Sequence, residues 1–122
     1  MTNPRSIDEL LATAREGLGR VAAADVAAEV ANGAVLVDTR SAAQRAEGGD
    51  IPGALVLERN VLEWRLDPAS EARVAEAVDH DVRWLVLCQQ GYASSLAAAT
   101  LRQIGLHRAT DVIGGAEALL AL

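Results

Sequence analysis

Trp84-Leu85-Val86-Leu87-Cys88-Gln89-Gln90-Gly91-Tyr92-Ala93-Ser94-Ser95 is the stretch on which the reading of the chain turns. Four apolar residues in succession predict a strand buried on both faces, as in a parallel sheet. The run leads into Cys88, then a loop containing Gly91, then a helix over residues 94–104 that stops at Gly105. Ligands of open parallel sheets gather beyond the carboxyl ends of the strands, which is where Cys88 falls. The loop amides can curl inward as an anion-binding nest, and the helix start near Ser94 and Ser95 adds positive potential. Both favour a cysteine thiolate over the thiol. Gly91 supplies a backbone angle that a residue with a Cβ resists. The alternative is an inert buried cysteine closing a core strand.

Working outward, Ser6-Ile7-Asp8-Glu9 reads as a capping box. It opens a helix over residues 6–18, with Ile7, Leu10, Leu11, Ala14 and Leu18 on one face and Gly19 as its stop. That face should pack on the domain or on a second copy. A second helix is expected over 23–31, ending at Asn32-Gly33. The run Ala34-Val35-Leu36-Val37, closed by Asp38, reads as a buried strand. A short helix over 41–47 and a turn through Ile51-Pro52-Gly53 precede a second strand over 54–57. Asn60 should cap a short helix through Leu66, broken by Asp67-Pro68, and a further helix is expected over 69–78. A last strand over 109–113, the turn Gly114-Gly115 and a terminal helix complete an alternating α/β pattern with a mainly parallel sheet.

With 122 residues the chain fits one domain. Phe is absent, so Ala, Val and Leu must form the core, with Trp64, Trp84 and Tyr92 the only aromatics. A net charge of −6 argues against a nucleic-acid partner, which needs a basic surface. The single cysteine excludes an internal disulfide and a multi-cysteine zinc site. His80 and His107 lack metal-ligand spacing and read as surface residues. Nothing calls for a cofactor. No stretch is apolar enough to span a bilayer, and the first 19 residues carry no secretion signal, so a cytoplasmic protein with no membrane partner is expected.

Four signatures in register then resemble one family. Leu36-Val37-Asp38-Thr39-Arg40, Ile51-Pro52-Gly53-Ala54, the stretch from Val86 to Ser95, and Ile113-Gly114-Gly115 are similar to those of single-domain rhodanese-like sulfurtransferases. The resemblance spans residues 21–119 and leaves residues 1–20 as an accessory helix before the rhodanese-like domain. It implies a five-stranded, mainly parallel sheet with helices on both faces. It also implies a ping-pong reaction in which Cys88 takes a sulfane sulfur from a small donor (thiosulfate, polysulfide or glutathione persulfide) and passes it to a thiophilic acceptor, which could be a protein. Gln89, Gln90, Gly91, Tyr92, Ala93 and Ser94 would form the substrate cradle. Asp38 and Arg40 match the family's Asp-x-Arg and are expected as a supporting polar pair. Arg59 and Arg65 either attract an anionic donor or are solvated surface residues.

The chain also departs from the family. Asp50 stands where His is usual, Gln90 and Ala93 where relatives often carry Arg or Lys, and Ala116 and Leu119 where aromatics are common. The uncharged loop leaves the donor open. A cysteine phosphatase or arsenate reductase would require Arg at position 94, which is Ser94 here. A binding module that has lost catalysis would not need both Cys88 and Gly91.

Overall fold

The computed structural model, which describes residues 3–122, alternates helices with parallel strands. Ser6 opens α1 (Ile7–Arg15): its hydroxyl accepts the Glu9 amide at 3.0 Å, and the Glu9 carboxylate accepts the Ser6 amide at 3.4 Å. The helix is shorter than the sequence pattern predicts, because Gly17 and Gly19 turn the chain at φ 75° and 57°. Its apolar stripe is also split. Leu11 and Leu18 are buried, whereas Ile7 and Leu10 are 63% and 45% exposed. The helix lies against α5 (Ala93–Gln103).

After a 3-10 turn (Ala23–Asp25) come α2 (Val26–Ala31) and β1 (Val35–Asp38). Ser41 builds a second capping box, with Gln44, at the head of α3 (Ala42–Gly48). Then follow β2 (Leu55–Val56), a 3-10 turn (Arg59–Val61) and α4 (Leu62–Leu66); Asn60 lies inside the turn rather than capping the helix, whose N-cap is Val61. The predicted core strand is β3 (Trp84–Leu87), buried along its length. β4 (Thr110–Asp111) and α6 (Gly115–Leu120) end the fold.

All pairings are parallel, in the order β2-β1-β3-β4. Side chains of β3 alternate between two cores, as a period of two requires. Trp84 and Val86 face Leu62, Leu66, Ala97 and Leu101 of α4 and α5. Leu85 and Leu87 face Val26, Val112 and Ala116 on the other side. Each fully buried Leu or Val contributes about 1.5–3 kcal/mol.

Two expectations need correction. The sheet has four strands rather than five: at its far edge Val21 makes a single parallel bridge to Val112. Gly19 turns the chain just before Val21 and the 3-10 turn begins just after it, so no ladder can extend. Residues 69–78 form turns rather than a helix. There Asp67 Oδ1 accepts the Ala69 amide at 2.9 Å and Ser70 Oγ accepts the Ala72 amide at 3.1 Å, which diverts donors from a helical ladder. The segment is pinned by buried Val74 and Ala77.

Candidate active site

The register of the sheet decides what surrounds Cys88. Asp38 is opposite Leu87, so both strands end level, and Thr39 closes the gap by donating its amide and hydroxyl to the Leu87 carbonyl at 3.0 and 2.8 Å. Cys88 is half-buried at this rim, a free thiol. Its Sγ accepts the Gly91 amide at 3.2 Å and the Ser94 amide, in the first turn of α5, at 3.4 Å. The nest predicted from the sequence is therefore formed by two donors, one from the loop and one from the helix start.

The loop is held from behind by the Gly114-Gly115 turn. The carbonyls of Cys88 and Gln89 accept amides of Ala116 and Glu117 at 2.8 and 3.1 Å, using donors that the start of α6 would otherwise leave free. This approach needs glycine. Gly91 has φ 87° and a Cβ there would lie 2.7 Å from the Gly114 nitrogen; a Cβ on Gly115 would lie 2.4 Å from the Cys88 carbonyl oxygen. Ala116 is fully buried and Leu119 partly buried against the same core, while Asp50 is exposed.

Beneath the loop runs a buried polar chain that the sequence reading did not identify. Ser94 and Ser95, both fully buried, donate their hydroxyls to Asp111 Oδ2 at 2.8 Å each. Asp111 is fully buried on β4 and is bridged by Arg20 through Nε and Nη2 at 2.9 and 3.2 Å. The Ser94 hydroxyl, its proton committed to Asp111, also stands 3.3 Å from Cys88 Sγ as an acceptor for the thiol proton. Arg15 donates to Ser95 Oγ at 3.0 Å and to the Gly91 carbonyl at 2.9 Å, and Arg20 reaches the same carbonyl at 3.0 Å. Both arginines lie more than 70 residues upstream of Gly91, so no local spacing could have signalled them.

In front of Cys88 opens a cleft of about 290 Å³. Gln89, Gln90, Tyr92 and Ala93 line it, with Thr39, Arg40, Gln44 and Arg59. Gly91 and Ser94 do not line it and meet the site through their amides, which donate to the sulfur. Arg40 is buried and fully engaged: with Asp38 through Nε and Nη2, with the Gly49 carbonyl at 2.8 Å, and with Gln89 Oε1 at 3.4 Å. Arg59 reaches the cleft but shares its charge with both Glu63 oxygens at 2.9 Å. Arg65 is not brought to the cleft; its guanidinium donates to the Ala72 carbonyl at 2.7 Å. His80 is exposed, and His107 pairs with Asp81 at 2.7 Å on the surface. Among the described residues no cluster suits a metal and no helix is long and apolar enough to cross a membrane. A larger open groove of about 660 Å³ along Pro68 to Val78 carries no nucleophile.

No curated protein matches the sequence significantly. Solved structures do. A Rhodopseudomonas palustris protein of unknown function, described as a possible tyrosine phosphatase, is 29% identical with a TM-score of 0.86, over 99% of this chain and 93% of that one. That alignment extends through α1. A human single-domain sulfurtransferase is 28% identical with a TM-score of 0.69, over 84% and 95% of the two chains. A rhodanese-related protein of Thermoplasma volcanium shares the fold at 22% identity and a TM-score of 0.62, over 84% and 90%. The family model of the Rhodanese-like domain matches residues 22–122, from the end of the Val21 bridge to the last residue. With this parallel sheet, this cysteine loop and that match, the chain belongs to the rhodanese-like family.

Proposed function

We propose that the protein is a sulfurtransferase that carries a sulfane sulfur on Cys88. The reading rests above all on one observation: Cys88 Sγ sits at the foot of an open cleft and accepts two backbone amides, at 3.2 and 3.4 Å. Such donors favour a sulfur anion and the persulfide that follows it. The Cys88 thiolate attacks the outer sulfur of a donor such as thiosulfate. A new S–S bond forms, the old one breaks, and sulfite departs with its electron pair. A thiophilic acceptor, a small molecule or a protein thiol, then attacks the outer sulfur of the persulfide and Cys88 leaves as thiolate. No cofactor takes part, and a reducing compartment such as the cytoplasm suits a mechanism that starts from a free thiol.

The phosphatase alternative, prompted by the Rhodopseudomonas relative, requires an arginine fork facing the transferring phosphoryl group. Ser94 occupies that position and points down at Asp111. The deciding measurement is intact mass after exposure to thiosulfate or polysulfide. Gain of one sulfur atom, removable by cyanide, is expected. Steady hydrolysis of an aryl phosphate that is lost in Cys88→Ser, with no sulfur gained, would overturn the proposal.

The cleft also bears on the donor. The loop residues lining it carry no charge, and of the two arginines that reach it, Arg40 is matched by Asp38 and Arg59 by Glu63. A hydrogen bond to a charged group contributes about 1.5–3 kcal/mol, so its absence weakens binding of a dianion about tenfold or more. We expect kcat/KM for glutathione persulfide or polysulfide to exceed that for thiosulfate. Arg59→Ala should raise KM for thiosulfate selectively, whereas Arg65→Ala should change nothing. A preference for thiosulfate that survives Arg59→Ala would mean that backbone amides alone hold the donor.

A further inference from the structure

We infer that Arg15, on the N-terminal helix that precedes the family domain, is a positioning residue for the Cys88 loop and supplies the positive charge that the loop itself lacks. For its purpose this rests on the sulfur-transfer reading. Two guanidinium groups converge on one carbonyl, that of Gly91, with Arg15 at 2.9 Å and Arg20 at 3.0 Å. Two like charges on one neutral oxygen repel one another and need compensation nearby. Asp111 compensates only Arg20.

The charges around Cys88 can be followed element by element. After β1, Arg40 is matched by Asp38; in the cleft, Arg59 is matched by Glu63; on β4, Asp111 is matched by Arg20. Tyr92 is exposed at the cleft, and Glu117, in the first turn of α6, is exposed to solvent. Arg15 makes no ion pair among the described residues. It is half-buried, hydrogen-bonded to Ser95 and Gly91, with its guanidinium 5.7 Å from the centre of the Tyr92 ring. The cluster behind the sulfur (Arg15, Arg20 and Asp111) thus carries one net positive charge, enough to balance one sulfur anion.

The same contact sets backbone direction. Gly91 has φ 87°, so the adjoining peptide is less restrained than in most residues. Drawing its oxygen toward the arginines turns the Tyr92 amide hydrogen the other way, because the peptide is planar and trans. A carbonyl left free to swing toward Cys88 would oppose a negative sulfur. Arg15 therefore acts through the loop and touches no substrate.

The test is the pH profile of iodoacetamide alkylation of Cys88, the sole thiol, in the native protein and in Arg15→Met. Methionine keeps the apolar stem and helix propensity while removing charge and donors. The pH of half-maximal alkylation is expected to rise, with the alkaline plateau unchanged, so that below it the rate falls about tenfold. Superimposable profiles would overturn the inference. So would a lower plateau with an unmoved midpoint, since that reports altered access rather than charge. The reagent needs no sulfur donor, so the result stays readable if sulfur transfer is absent; persulfide formation with an unmoved midpoint would remove the role of Arg15 alone.

Discussion

Cys88→Ser is expected to abolish sulfur loading and to lower cyanide-dependent thiocyanate production by at least about a thousandfold, the scale on which loss of a nucleophile is felt. A hydroxyl does not ionise in this range and forms no stable sulfur adduct. It is also the sole thiol, so no second cysteine can take over. The fold should hold. The serine oxygen still meets the amides of Gly91 and Ser94, and the site is half-buried rather than packed in a core. Stability within about 1 kcal/mol of the native protein is expected. Thiocyanate production that is undiminished in a well-folded Cys88→Ser protein would show that sulfur moves by another route.

The second large effect is on stability. Arg40→Leu should cost about 3–5 kcal/mol, the usual penalty for stripping one partner from a buried ion pair. Arg40 and Asp38 are 1% exposed each, and Arg40 also ties down the Gly49 carbonyl. Removing the guanidinium leaves the Asp38 carboxylate in the interior with only the Arg40 backbone amide, at 3.0 Å, as a remaining donor. A fall in Tm of about 10–20 °C follows for a chain of this size. Asp38→Asn combined with Arg40→Leu should lose less than Arg40→Leu alone, because no unpaired charge is left behind. A melting curve for the single variant that matches the native one would mean the pair is not structural.

What could be read from the sequence was what is local. The run from Trp84 to Leu87 announced a buried strand through four consecutive apolar residues, and Gly91 and Gly115 announced turns through the absence of a side chain. Ser6 announced a helix start through a short side chain able to bind a nearby amide. Over 69–78 the composition favours a helix, but the competing bonds of Asp67 and Ser70 divert the amides into turns. The fifth strand shrank to one bridge because Val21 stands between two turns. The chain Arg15–Gly91 and Arg20–Asp111–Ser94 was invisible for a different reason. Its members lie on α1, the following segment, β4 and α5, and only the packing of the N-terminal helix on α5 brings them to one place.

The sheet's borders carry a consequence for how the protein behaves in company. One edge is β2, only two residues long, and the other is the lone Val21 bridge. A border of unpaired amides is a template on which another chain can add a strand, and such additions seed aggregates and fibres. Here the longest fully buried strand, β3, has a neighbour on each side, while the ladders that face outward are too short to guide a newcomer into register. The arrangement gives up the width of a fifth strand and leaves, among the described residues, no long outward-facing ladder on which another chain could pair.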